Sequence, residues 1–193
     1  MSYTVYDVNY SKVIIHESWN VIEIGGGANP CPRSNTITNF EQDKNQRGAK
    51  IRRVEGAKMI DNLDVEHMSI FKDKEFDFSL CVQVIEHCDD PGKACDELMR
   101  VSKSGFIETP SPLCEKLIGW DFHKWLVYIC PKNENKLMFE KKRGIDYCLM
   151  DDFFKDLFYK DRNQKFINIF IKHSDSWITK FHWKDSFEYE VIE

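Results

Sequence analysis

The sequence predicts an α/β fold: a doubly wound, mostly parallel sheet with helices on both faces, closed by an antiparallel C-terminal strand or hairpin. Three observations predict it. The apolar run Val21–Ile24 stops at three consecutive glycines, Gly25–Gly27. Further strand-like runs then alternate with a clearly periodic helical segment, the order that builds a parallel sheet covered by helices. The last third instead places aromatic-rich runs around turn residues, which suits antiparallel closure.

Taken in order, Val21-Ile22-Glu23-Ile24 is a strand entering a tight glycine loop. Thr36-Ile37-Thr38 is a second strand. Ala57-Lys58-Met59-Ile60 is a third, leading into Asp61-Asn62-Leu63-Asp64, and Phe76 to Val82 is a fourth. Asp90 is a suitable N-cap and Pro91 fits the first helical position, where its missing N–H costs nothing. Ala94, Leu98 and Val101 repeat at helical spacing, Ser104-Gly105 ends the helix, and Phe106 to Thr109 restarts a strand. His123 to Cys130 and Lys136 to Phe139 read as strands around the turn 131–135. Met150 to Tyr159 reads as an amphipathic helix, and Phe166 to Ile171 and Trp177 to Trp183 as antiparallel closing strands.

The 193 residues, 42% hydrophobic, can bury one core. One domain over 1–193 is expected, with an N-terminal segment 1–18, a ligand-binding core 19–111 and a sheet-closing part 112–193. A net charge of −5 argues against nucleic acid as a partner, since phosphate contacts need a basic surface. The local clusters Lys50/Arg52/Arg53 and Lys141/Lys142/Arg143 read as solvated faces. No apolar run reaches the roughly 18–20 residues that cross a bilayer, and Met1 to Tyr10 lacks the pattern of a signal peptide. A cytoplasmic protein without membrane contact is expected. Seven cysteines without a Cys-x-x-Cys pair suit reduced thiols, with Cys81, Cys88 and Cys95 as core filling.

A glycine loop after the first strand of such a sheet lets backbone approach a ligand at the carboxyl ends of the strands. Gly25-Gly26-Gly27-Ala28-Asn29-Pro30 lacks the last glycine of a dinucleotide fingerprint, and Pro30 disturbs a helix opening there. A ligand without a pyrophosphate therefore fits better, and a nicotinamide enzyme is disfavoured.

Residues 21–30 resemble the first motif of class I, Rossmann-like S-adenosylmethionine-dependent methyltransferases, small and type-11-like. Phe76 to His87 resembles that family's fourth strand with its apolar-Glu-His exit. Asp89 to Val101 resembles the following helix, and Gly105 to Ser111 the fifth strand. The resemblance runs in order from Val21 to Ser111. It implies S-adenosylmethionine as cofactor, with S-adenosylhomocysteine as product. It places Glu23 on the methionine amino end, with Gly25, Gly26, Gly27 and Asn29 in the loop against the cofactor. Asp64 falls on the adenine amino group with Val65 beside the ring, and Gln83 and Val84 on the other side. Asp64 can also serve as an N-cap. At the end of strand two, where the family carries an acidic residue for the ribose hydroxyls, stands Asn39; Glu41 or Asp43 substitutes if that strand runs longer.

Methyl transfer needs an aligned acceptor and, for a hydroxyl, a base. His123 in Asp121-Phe122-His123-Lys124-Trp125 is the first candidate base, against a histidine that caps the hairpin. Glu86 and His87 are the second candidate pair. Related O-methyltransferases bind a divalent metal through Glu-x-x-Glu-His, but Gln83 occupies the first position here, so magnesium is not expected and a turn-fixing role competes. A looser resemblance to glycan-pathway methyltransferases suggests O-methylation of a sugar or nucleotide-sugar, with Trp120 and Trp125 as stacking faces or as packing residues. A homodimer completing the acceptor site fits the small size. The alternative is a catalytically silent binding or assembly subunit, with Asn39 and Gln83 as the losses.

Overall fold

The computed structural model describes residues 2–40, 50–143 and 150–193. It begins with an antiparallel hairpin, β1 (Tyr3–Val8) and β2 (Ser11–His16), in a segment where the sequence carries no strong strand signal. The central sheet contains β3 (Val21–Ile24), β4 (Thr36–Asn39), β5 (Lys58–Asp61), β6 (Phe78–Val82), β7 (Ser104–Pro110) and β10 (Ile178–Lys184). Its order is β10-β7-β6-β3-β4-β5, and every pairing is parallel except β10 with β7. The expected parallel sheet with an antiparallel closing strand is therefore present.

Alternation along the strands decides what covers each face. Ile22, Ile24, Cys81, Ile107, Phe181 and Trp183 belong to one core. That core includes Ala94, Cys95, Leu98 and Val101 of α1 (Pro91–Val101), together with residues of a three-stranded sheet. This sheet has the order β11-β9-β8, from β8 (Trp125–Cys130), β9 (Asn133–Lys141) and β11 (Glu188–Ile192). On the opposite face Val21, Phe78, Leu80 and Phe106 pack against Val8, Val13 and Ile15, so the hairpin shares the cover that helices supply elsewhere.

Local chemistry matches the expected start of α1. The Asp90 carboxylate accepts the Lys93 N–H at 3.1 Å, and Pro91 opens the first turn. The helix ends earlier than Ser104-Gly105, at Val101, and Gly105 lies inside β7. A Cβ there would stand 2.4 Å from Ser79 Oγ and 2.7 Å from Trp183 Nε1, so this glycine is a packing requirement rather than a helix stop. Cys95 lies inside α1, and Cys81, Cys88 and Cys95 are all buried.

Beyond β7 come α2 (Pro112–Leu117), α3 (Asp151–Lys155) continuing into a π turn, Asp156–Lys160, then α4 (Gln164–Lys172) and α5 (Ser174–Trp177). Phe166 to Ile171, expected as a strand, is helical. Asn163 accepts the Phe166 N–H at 3.1 Å as an N-cap, and Phe170 packs with Cys114, Ile118 and Trp177. A short apolar run is ambiguous in period, and the cap with this packing decides for helix. Among the described residues, no helix is long and apolar enough to cross a membrane.

Candidate functional site

Two adjoining cavities open at the carboxyl ends of β3, β4 and β6, one of about 410 Å³ and one of about 170 Å³. Gly25, Gly27, Ala28, His87 and Phe122 line both. The glycine loop that divides them is held from within. Gly25 N and Gly26 N both donate to Thr38 O, at 2.9 and 3.2 Å, and Gly27 N donates to Asn39 Oδ1 at 2.9 Å. Gly25 takes φ +71°, and a Cβ on it would stand 2.4 Å from Val84 Cγ2. The three glycine N–H groups are thus committed to the protein, which is a poor cradle for a pyrophosphate and an adequate wall for a ligand without one.

The larger cavity has an apolar slot between Phe40, Ile51, Leu63, Val65 and Val84, with Asp64 and Asn39 as polar groups. Asp64 does not cap a helix. Its Oδ1 accepts the Glu66 N–H at 2.9 Å and shapes a turn instead. Asn39, buried at the end of β4, receives Gly27 N and donates to Asp61 Oδ1 at 3.3 Å, while Asp61 pairs with Arg53 at 2.8 Å. Glu41 and Asp43 lie outside the described residues. Arg53 is solvent-exposed, as expected of its cluster, and pairs with Asp61 from that surface.

The smaller cavity gathers Glu23, Gly26, Asn29, Gln83, Trp120 and His123. The Glu23 carboxylate accepts Cys31 N at 2.9 and 3.1 Å and Ser34 Oγ at 2.7 Å, which closes the loop on itself. Burial raises its pKa to about 7, against the lowering effect of those hydrogen bonds. Gln83, at φ +56°, donates to Glu108 Oε1 at 3.3 Å. Glu108 also accepts Asn9 Nδ2 at 2.7 Å and the Ser11 hydroxyl, so the hairpin turn is anchored beside the cavity. Burial holds the Glu108 carboxyl above its ordinary range, opposed by those three donors.

His123 precedes β8 and is buried, with Nδ1 2.5 Å from Glu115 Oε1. Lys142 Nζ sits 2.7 Å from the other oxygen of Glu115 and 2.9 Å from Trp120 O. Burial opposes the Glu115 charge, but the hydrogen bonds and charges of His123 and Lys142 prevail and hold it below the ordinary carboxylate range. Lys142, expected on a solvated face, is instead nearly buried, its side chain 10% exposed. The long lysine stem lets a charge from β9's exit reach a carboxylate on α2.

Glu86 and His87 form a 3₁₀ turn after β6, Ile85–His87. Glu86 O accepts Lys124 N at 2.8 Å, and Trp125 Nε1 donates to Cys88 O at 2.8 Å, so the start of β8 is bound to this turn. The rings of His87 and His123 meet edge to face at 4.6 Å, and Phe122 stacks on His87 at 5.5 Å. Trp125 is a packing residue, buried with its indole N–H engaged, whereas Trp120 lines the cavity. Glu86 is fully buried and lines neither cavity.

Residues 23–107 match the family model described as a methyltransferase domain. Over those residues the chain is similar to that domain. No curated protein matches the chain. Among solved structures, a SAM-dependent methyltransferase from Thermotoga maritima is 23% identical, with 48% of this chain and 44% of that chain covered at a TM-score of 0.36. The YcgJ protein of Bacillus subtilis is 20% identical, covering 50% and 46% at 0.40. A methyltransferase solved with the Haloferax volcanii Trm112 activator is 15% identical, covering 49% and 46% at 0.40. The chain thus spans less than half the length of these structures. Glu23, Gly25, Asp64 and Val84, singled out in the sequence, line the cavities. Phe40, Ile51, Leu63, Phe122, Glu115 and Lys142 were not among the site residues the sequence pointed to. Phe40 had a signal, as the residue leaving strand two; Glu115 and Lys142 had none, being joined only by the tertiary fold.

Proposed function

We propose that the chain is an S-adenosylmethionine-dependent methyltransferase that methylates a hydroxyl on a small polar acceptor such as a sugar or nucleotide-sugar. The observation that supports this reading best is the pair of cavities sharing a glycine wall, one with an apolar slot beside Asp64 and one backed by the Glu115–His123 pair. In this reading Phe40, Leu63, Val65 and Val84 flank the adenine, and Asp64 accepts from its amino group. Asn39 faces the ribose through whatever hydrogen-bonding capacity its contacts to Gly27 and Asp61 leave. Glu23, Gly25, Gly27 and Gln83 face the methionine end, with Gly26 and Asn29 completing the loop. The cofactor supplies an electrophilic sulfonium methyl group. Trp120 offers a face to the acceptor, and His123, oriented by Glu115, takes the acceptor's proton.

The test is mass-spectrometric detection of S-adenosylhomocysteine and methylated product with a panel of sugars and nucleotide-sugars, using His123→Ala as control. A second reading, a silent binding subunit, is favoured by the internal commitment of Asn39 and Glu23. Cofactor binding without product from any acceptor would select it.

A further inference from the structure

We propose that Glu86, His87 and His123 form a site for a zinc-class divalent cation at the floor of the smaller cavity. Each offers one ligand atom, and all three atoms lie within 4.8 Å of one another. Two segments more than thirty positions apart are held together there by the bonds from Lys124 N to Glu86 O and from Trp125 Nε1 to Cys88 O. The arrangement is a feature of the tertiary fold and not of one flexible loop.

Three physical features point to a cation. Glu86 has no exposed surface and its Oε1 stands 3.9 Å from His87 Nε2, so a carboxylate and an imidazole are already adjacent at the turn. His123 Nδ1 faces the Glu115 carboxylate, so a neutral ring carries its proton on Nδ1 and its lone pair on Nε2. That carboxylate–histidine relay is the usual outer support of a metal-ligating imidazole, and Lys142 braces it at 2.7 Å. Finally, His87 and His123 both line the cavity, so a coordination position facing the cavity remains for water or an acceptor oxygen.

The donor set selects the ion. Two imidazoles and one carboxylate suit Zn²⁺, and Co²⁺ as its spectroscopic substitute, whereas Mg²⁺ and Ca²⁺ require mostly oxygen ligands. Ligand atoms of a tetrahedral zinc site stand roughly 3–3.5 Å apart. Closure from the present spacing is within reach of a rotation of His87, whose side chain is 22% exposed. The same His123 lone pair cannot take a proton and bind an ion together, so loading the site exchanges its role as base for that of ligand. Binding of the ion requires no S-adenosylmethionine, and the two proposals fail separately.

The experiment is calorimetric titration of chelator-stripped protein with ZnCl₂, alongside visible absorption with CoCl₂. The expected result is one Zn²⁺ per chain, with affinity reduced at least about 100-fold in His87→Ala and about 10–100-fold in Glu115→Gln, the size of an outer-support loss. The cobalt form should show four- or five-coordinate d–d bands without a thiolate charge-transfer band. His87→Ala, at the partly exposed ligand, avoids relying on the buried His123. Absence of saturable zinc binding, binding unchanged in His87→Ala, or a thiolate band from the cysteines would each overturn the proposal.

Discussion

Asn39 Oδ1 accepts a 2.9 Å hydrogen bond from Gly27 N, so the side chain at the end of the second parallel strand props the glycine loop. Its amide nitrogen donates to Asp61 Oδ1 at 3.3 Å. Asn39→Asp would set a second carboxylate against Asp61 and remove that donor. The expected outcome is lower stability than the parent by about 1–3 kcal/mol and no gain in cofactor affinity, read by urea melts and calorimetry. Tighter cofactor binding by the aspartate would show that the bond from position 39 to Asp61 is dispensable.

Gly25→Ala adds a methyl group 2.4 Å from Val84 Cγ2 at φ +71°. A loss of roughly 1–3 kcal/mol is expected from overpacking and backbone strain together. Adding Val84→Ala should recover the packing share and leave the strain, so the double-mutant cycle should show partial, not full, rescue. Full additivity would mean that the two side chains do not meet.

Glu23 sets a pH dependence. Its folded pKa, near 7, lies above the ordinary 4.5, so the native state binds more protons than the unfolded state between those values. Stability therefore falls as pH rises from about 4.5 to 7, by an amount on the order of 2–3 kcal/mol from this group. Thermal melts of the parent and Glu23→Gln across that range should diverge by this slope, the variant being flatter. Parallel curves would remove Glu23 as the titrating group.

Much of this organisation was legible in the sequence, for identifiable reasons. Val21–Ile24 before three glycines, Phe78–Val82 before Glu86-His87, and Asp90-Pro91 before a periodic helix each couple local propensity to position in a parallel sheet. The hairpin at Tyr3–His16 was missed because its burial alternates with charged and polar residues of weak contrast. Phe166–Ile171 was misread because a short apolar run carries no decisive period until its cap and neighbours are known. The Glu115–His123–Lys142 cluster joins α2, the approach to β8 and the exit of β9, a meeting that no local pattern encodes.

Lys142→Met tests that cluster. Removing one partner of a buried carboxylate should cost about 3 kcal/mol, more than a surface lysine ever would. Chemical denaturation with an unchanged m-value would confirm a stability effect; a loss within about 0.5 kcal/mol would return Lys142 to the solvated surface.

The most direct measurement is calorimetric titration of the purified protein with S-adenosylmethionine and S-adenosylhomocysteine, alongside NAD and the Asp64→Ala variant. Saturable one-to-one binding of the first two, no binding of NAD, and at least about a tenfold loss in a folded Asp64→Ala protein are expected, since that change removes a charged hydrogen-bond acceptor. Failure of the parent protein to bind either adenosyl compound would contradict the assignment of the larger cavity to the cofactor.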